Sequence, residues 1–99
     1  MLTGKQRSYL RKLAQDEEPL VFIGKNDLTE TVIHEMDNLL TARELVKAKI
    51  QDTSTLDAKA TANELAAQLG AEYVQAIGRR FVLYRPAPEK ENRKIVLPR

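Results

Sequence analysis

Basic residues stand at several points of the chain where they could bind phosphate groups. The segment Gly24-Lys25-Asn26-Asp27 follows an apolar run and precedes a helical pattern, which would place backbone N–H groups and the Lys25 ammonium beside an anion. An ordinary strand-to-helix turn would have the same composition. The segment lacks the length and the Lys-Ser/Thr ending of a nucleotide-binding P-loop, so a single-stranded nucleic acid backbone is the better candidate ligand.

Two adjacent arginines, Arg79 and Arg80, lie between two apolar runs, at the tip of a predicted β-hairpin. Neighbouring guanidinium groups could hold successive phosphates or stack on bases, although solubility alone would also explain them. Arg85 and the outward-facing Lys47 and Lys49 could continue a basic stripe across a sheet. Because lysines near strand edges also prevent aggregation, both interpretations of these residues stay open.

Charge is distributed unevenly along the chain. Residues 1–15 carry a net charge of +4, residues 16–72 carry −7 and residues 73–99 carry +5, within a total of +2. The first helical segment contributes Lys5, Arg11 and Lys12 on the side away from its apolar face, a pattern typical of a solvated surface or of phosphate contact. The two basic ends form one polyanion-binding surface only if the fold brings them together.

The composition argues against most enzyme classes. The 99 residues include no cysteine and a single histidine, His34, which leaves little material for a metal centre or a Ser-His triad. The acidic residues Glu30, Glu35 and Asp37 form no visible catalytic pair. We therefore predict no catalytic residues, metal, cofactor or small-molecule substrate. No apolar run approaches the roughly eighteen residues of a membrane span, so the expected location is cytoplasmic.

Capping signals predict the first two helices. Thr3 and Gln6 have the spacing of a capping box, which begins a helix that extends to Gln15. The second helix is expected immediately after the Gly24-Lys25-Asn26 loop, with Asp27 as its amino-terminal cap. Apolar residues at helical spacing between positions 28 and 40 give that helix one buried face.

A third helix and four strands complete the predicted elements. The helix is expected to be capped by Ser54 or Thr55 and to end at Gly70. The first strand, Leu20-Val21-Phe22-Ile23, is a continuous apolar run, which is typical of a strand covered on both faces. The other strands are expected at residues 45–50, 73–77 and 81–85.

The order α-β-α-β-α-β-β predicts an α/β fold in a single domain with a four-stranded mixed sheet. Helical crossovers favour parallel strands, whereas the last two strands form an antiparallel hairpin, and helices two and three should cover one face. The folded domain is expected to span residues 1–86. Residues 87–99 read as a charged, irregular tail, although Ile95-Val96-Leu97 could dock on the domain.

Four segments of the sequence together resemble the YhbY family of stand-alone CRM domains. They are Leu2–Arg7, Ile23–Glu30, Arg43–Lys47 and Ile77–Pro86. The resemblance implies an RNA-binding domain similar in fold to the C-terminal domain of bacterial translation initiation factor three. Small bacterial members are linked to assembly of the large ribosomal subunit, and plant relatives occur in intron-splicing factors. The family's GxxG loop falls on residues 24–27, where Asp27 replaces the second glycine and adds a negative charge.

These observations predict a non-catalytic protein that holds structured RNA, a ribosomal RNA precursor, through the Gly24-Lys25-Asn26 loop, the hairpin arginines, Arg85, Lys47 and the basic face of the first helix. Phosphate contacts should dominate, so binding should depend strongly on salt. An alternative is a protein-interaction module whose acidic second helix meets a basic ribosomal protein or processing factor. A small enzyme is the third alternative, with no constellation of side chains to support it.

Overall fold

The computed structural model describes residues 2–25 and 28–99, in which three helices pack on one four-stranded sheet. The elements occur in the predicted order, and the predicted fold class is confirmed. Their bounds are α1 Gly4–Gln15, β1 Val21–Ile23, α2 Glu30–Arg43, β2 Leu45–Ile50, α3 Ala58–Leu69, β3 Glu72–Ile77 and β4 Arg80–Tyr84, followed by a 3-10 turn at Lys90–Asn92. No helix among the described residues is both long and apolar enough to span a bilayer.

The strands are arranged in the order β1-β2-β4-β3. Strand β1 pairs in parallel with β2, and the pairs β2/β4 and β3/β4 are antiparallel, which confirms the mixed sheet. The β3–β4 hairpin turns through Gly78, whose φ of 60° favours glycine. A register shift between Tyr73 and Gln75 marks a bulge in β3.

Each face of the sheet has its own apolar core. Helices α2 and α3 cover one face, where Met36, Leu40 and Leu65 pack against Ile23 and Phe81. This confirms the predicted placement of both helices. Helix α1 covers part of the other face with Leu10 and Ala14, against Leu45, Val74, Val82 and Tyr84. Because α1 does not cover that whole face, some side chains of the sheet are open to solvent.

Two helices begin later than the sequence predicts. The amino-terminal cap of α2 is Thr29, whose hydroxyl accepts a hydrogen bond from the Val32 N–H at 3.2 Å, so the helix does not start directly after the loop. Asp27, the predicted cap, lies outside the described residues. The cap of α3 is Asp57, which accepts from the Ala60 N–H at 2.9 Å and replaces both predicted caps. Ser54 instead accepts from the Leu56 N–H within the preceding link.

Strand β1 lies at the edge of the sheet, and the prediction that it is covered on both faces is wrong. Val21 and Ile23 are fully buried beneath the helices, but the side chain of Phe22 points to the opposite face and is 51% exposed. Helix α1 packs mainly on β2 and β3, and the exposure of Phe22 shows that it does not cover this side chain of β1. An apolar run of four residues therefore contains one solvent-exposed aromatic ring.

Glu44 holds the C-terminal segment against the domain. Its buried carboxylate accepts hydrogen bonds from the backbone N–H groups of Ala87, Lys94 and Ile95 at 3.0, 2.7 and 3.1 Å. Burial alone would raise the pKa of Glu44, but these three bonds and the nearby Arg93 more than offset it, so the pKa lies below its ordinary value. Beyond this anchor, Ile95 and Leu97 pack against the core beneath α1, whereas Val96 is exposed.

Candidate nucleic-acid interface

Four side chains, one from each strand, form a line across the open face of the sheet. The register pairs Phe22 with Lys49, Lys49 with Arg80, and Arg80 with Ile77. Residues directly opposite one another on paired strands project to the same face. We call these four residues the cross-sheet row; it places two cations between two exposed apolar side chains.

A second basic residue of β2 joins this row. Lys47 lies two positions before Lys49 and therefore projects to the same face, as the alternation of buried and partly exposed residues in β2 confirms. It contributes to a shallow depression of about 270 Å³ at the end of α1, lined by Gln15, Lys47, Gln75, Ile77, Arg80 and Val82. The structure thus brings together Lys47, Lys49 and Arg80, which the sequence predicts as parts of one basic stripe.

The Gly24-Lys25 loop lies at the same end of the sheet. Gly24 directly follows β1, and the N–H of Gln51 donates to the carbonyl of Ile23 at 2.8 Å, which joins the ends of β1 and β2. A Cβ atom on Gly24 would lie 3.1 Å from the side-chain oxygen of the exposed Gln51, so a larger residue at this position would require a small shift of that side chain. Lys25 is exposed two residues beyond β1. Asn26, the third predicted loop contact, lies outside the described residues.

The basic residues of α1 divide into two groups. Lys5 and Lys12 lie with Tyr9 and Pro98 on the side of the helix away from the sheet. Arg11 and Arg7 instead line a groove along β3 that reaches Ile77, the last member of the cross-sheet row. The Nε–H of Arg7 donates to the Tyr73 carbonyl at 3.3 Å. Of the three predicted contacts on this helix, Arg11 is thus the one that continues the basic sheet face.

Arg79 does not project freely from the hairpin. Its Nε–H donates to the Ile50 carbonyl at 3.0 Å, and its terminal NH₂ donates to the carbonyls of Gln51 and Ser54 at 2.6 and 2.7 Å. The Asp52 carboxylate lies 3.4 Å from the same Nε. The guanidinium therefore braces the link between β2 and α3, whereas Arg80, the next residue, is exposed in the cross-sheet row.

Arg85 faces the opposite side of the sheet from Arg80. It donates to the side chain and carbonyl of Asp37, to the Thr41 hydroxyl and to the Leu69 carbonyl, at distances between 2.8 and 2.9 Å. Its side chain is only 17% exposed. The structure therefore separates Arg85 from the basic sheet face and gives it a role in joining the carboxyl-terminal ends of α2 and α3.

The two sides of the molecule differ in charge. The open sheet face and its borders carry a set of cations, namely Arg7, Arg11, Lys25, Lys47, Lys49 and Arg80. Helices α2 and α3 carry the exposed carboxylates of Glu30, Glu35 and Glu64, which the exposed bases Arg43 and Lys59 partly offset. A polyanion would therefore be attracted to the sheet face and not to the α2/α3 side. Among the described residues, no group of histidine or acidic side chains is placed to hold a metal ion.

Three residues of this face are absent from the sequence-based candidates. Phe22 is predicted as core, Ile77 as an ordinary strand residue, and Arg7 is counted among the bases of residues 1–15 and in the segment Leu2–Arg7 without being named as a contact. A signal exists for Arg7, which is four residues before Arg11 and thus on the same side of the helix. The exposure of Phe22 and Ile77 depends on strand order and on how far α1 extends over the sheet, which no local pattern reports.

The fold and this surface define a class of small α/β domains with an open, basic sheet face. The chain matches the model of the CRS1 / YhbY (CRM) domain over residues 2–85, and it belongs to that family. It is 39% identical over 98 residues to a protein of Haemophilus influenzae named "RNA-binding protein", covering 99% of this chain and 96% of that one.

Two further relatives agree with this assignment. The chain is 36% identical over 98 residues to "Probable RNA-binding protein YqeI" of Bacillus subtilis, covering 99% of this chain and 100% of that protein. The solution structure of SAV1595 from Staphylococcus aureus superposes with a TM-score of 0.80 at 39% identity, covering 99% of this chain and 100% of that structure. The resemblance read from the four sequence segments is thus confirmed.

Proposed function

We propose that this protein binds structured RNA through its open sheet face and does not catalyse a reaction. The observation that carries the proposal is the grouping of Lys47, Lys49 and Arg80 on one face, beside Lys25 and Arg11. Cations grouped in this way bind phosphates and release counterions, which provides most of the affinity of nucleic-acid-binding proteins. The names of the Haemophilus influenzae and Bacillus subtilis relatives support RNA as the ligand.

The finer part of the proposal is that the RNA is a ribosomal RNA precursor, bound in the cytoplasm during assembly of the large subunit. This part rests on the properties that the family resemblance implies. Its test is sedimentation of cell extracts through sucrose gradients. We expect the protein to migrate with particles near the size of the large subunit and to leave them at high salt. Migration only at the top of the gradient under all salt conditions would contradict the ribosomal part.

The RNA-binding part is tested with two variants of equal charge. The first replaces Lys47, Lys49 and Arg80 with glutamine. The matched control replaces three exposed bases elsewhere, Arg43, Lys59 and Lys90, with glutamine. Both changes lower the net charge from +2 to −1, so any difference reports position and not total charge.

The measurement is the affinity for a structured RNA at several salt concentrations. Each phosphate contact contributes about 0.7 to the slope of log K against log salt for single strands, so the sheet-face variant should lose about 2 units of slope. The control variant should keep nearly the parent slope, because its bases lie away from the open face. Equal slopes for the two variants would contradict the proposed surface, and failure of the parent to bind RNA would contradict the function.

A further inference from the structure

Exposed apolar side chains are concentrated beside the cations of the sheet face. Among the described residues, the large apolar side chains with substantial exposure are Tyr9, Phe22, Ile77 and Val96. Two of these four, Phe22 at 51% and Ile77 at 69%, are the ends of the cross-sheet row. An exposed aromatic ring on an edge strand, with a lysine on the next strand, is suited to a ligand that is both planar and anionic.

The spacing of the row sets the size of that ligand. Adjacent strands are about 4.8 Å apart, so Lys49 lies roughly 5 Å from Phe22 along the row, Arg80 roughly 10 Å and Ile77 roughly 14 Å. One nucleotide can thus place its base on the ring while its own phosphate and the next one reach the two cations. A second copy of this chain fits poorly, because the same cations would face one another across the contact.

Resting on the RNA-binding function proposed above, we propose that Phe22 stacks on an unpaired base of the RNA, with Lys49 and Arg80 on the adjoining phosphates. In a continuous duplex the faces of each base are covered by its neighbours, and a side chain cannot reach them. Aromatic platforms beside a basic groove are the means by which proteins hold single strands. The ligand is therefore RNA with a loop, bulge or free end, and not an uninterrupted duplex.

The first test compares Phe22→Leu with Phe22→Tyr. Leucine keeps the apolar bulk but has no ring, whereas tyrosine keeps the ring. For an unpaired oligonucleotide, Phe22→Leu should weaken binding roughly 5- to 150-fold, the range that corresponds to the loss of one stacked base, and Phe22→Tyr should stay close to the parent. Neither change should alter the affinity for a blunt duplex. Because Phe22 is half exposed on an edge strand, both variants should remain folded, which melting curves would verify.

The second test uses fluorescence, since the chain contains no tryptophan. Phe22→Trp places a single indole at the proposed stacking position. Unpaired RNA should quench its emission strongly, and a blunt duplex should not. Val96→Trp is the matched control, because Val96 is also highly exposed but lies between Ile95 and Leu97, which pack at the other end of the sheet near Leu2 and Tyr84. Its emission should change little with either RNA.

The outcomes separate this inference from the broader function. If the parent binds RNA but Phe22→Leu binds unpaired RNA as tightly as the parent, base stacking is refuted and the RNA-binding function stands. If the parent binds neither RNA, the proposed function itself fails. If sedimentation shows a dimer of the parent that Phe22→Leu converts to a monomer, the exposed ring belongs to a contact between two copies, and the stacking role is overturned.

Discussion

The two adjacent arginines of the β3–β4 hairpin should affect different properties when each is replaced by alanine, one the stability of the fold and the other the affinity for RNA. Arg79→Ala removes three hydrogen bonds from a guanidinium to the carbonyls of the link between β2 and α3. Arg80→Ala removes a charge from the cross-sheet row, and within residues 2–25 and 28–99 the Arg80 guanidinium has no hydrogen bond of this kind. We therefore expect Arg79→Ala to lower stability, and Arg80→Ala to lower RNA affinity at nearly unchanged stability.

The size of the first effect follows from the geometry. A hydrogen bond to a charged group contributes about 1.5–3 kcal/mol when its partner is buried. The Arg79 side chain is 40% exposed, however, so water can replace part of the hydrogen bonding that the carbonyl groups lose with it. We therefore expect a loss of about 2 kcal/mol for all three bonds together, which for a domain of this size lowers the melting temperature by roughly 8–16 °C. Arg80→Ala should stay within about 0.5 kcal/mol.

The assay is reversible thermal unfolding of both variants, followed by circular dichroism. Arg79→Lys is the control for charge, because lysine keeps the cation but cannot form the same fork of hydrogen bonds. It should recover little of the stability. A melting temperature of Arg79→Ala within about 3 °C of the parent would refute the bracing role, and would leave Arg79 available as the RNA contact that the sequence predicts.

Three further predictions concern stability. Phe81→Ala should lower the free energy of unfolding by about 3–5 kcal/mol because the ring is fully buried, whereas Phe22→Ala should lower it by less than about 1 kcal/mol. Urea titrations would measure both losses, and equal losses would contradict the edge position of β1. The folded-state pKa of Glu44 lies below its ordinary value of 4.5, so its stabilisation is present above that pH and is lost as pH falls through the folded pKa. In Glu44→Gln the melting temperature should fall less as the pH is lowered from 7 to 3 than it does in the parent. An equal fall in both proteins would exclude Glu44 as the source of this pH dependence. Arg85→Ala should destabilise the fold by about 1.5–3 kcal/mol, since it removes the four hydrogen bonds of a guanidinium that is only 17% exposed, whereas water can still reach Asp37. A change below about 0.5 kcal/mol on thermal unfolding would contradict that role.

The parts of the fold that depend on neighbours in sequence could be predicted from the sequence. The capping box of Thr3 and Gln6 is formed as expected, with both of its hydrogen bonds. Gly70 ends α3 in the left-handed conformation, with a φ of 62°. The alternation of β2 correctly assigns Lys47 and Lys49 to one face. In each case the determining interactions lie within a few residues.

The features that the sequence did not show depend on contacts between distant segments. Strand order decides that Phe22 is exposed, and a run of apolar residues does not report whether its strand is central or at an edge. Arg85 meets Asp37 across 48 residues of sequence, and Arg79 meets the Ile50 carbonyl across 29. The sequence shows that these arginines are charged and could bind phosphate. It does not show the carbonyl and carboxylate groups that they meet within the folded chain.

The most direct test of the central claim is an NMR titration of the labelled protein with a structured RNA that contains an unpaired loop. We expect the largest changes in amide chemical shift at residues 22–25, 47–49 and 77–80, around the cross-sheet row. Amides on the outer side of α2 and α3 should change little at any RNA concentration. Changes centred on α2, near Glu30 and Glu35, or spread evenly over the surface, would contradict the open sheet face as the RNA-binding site.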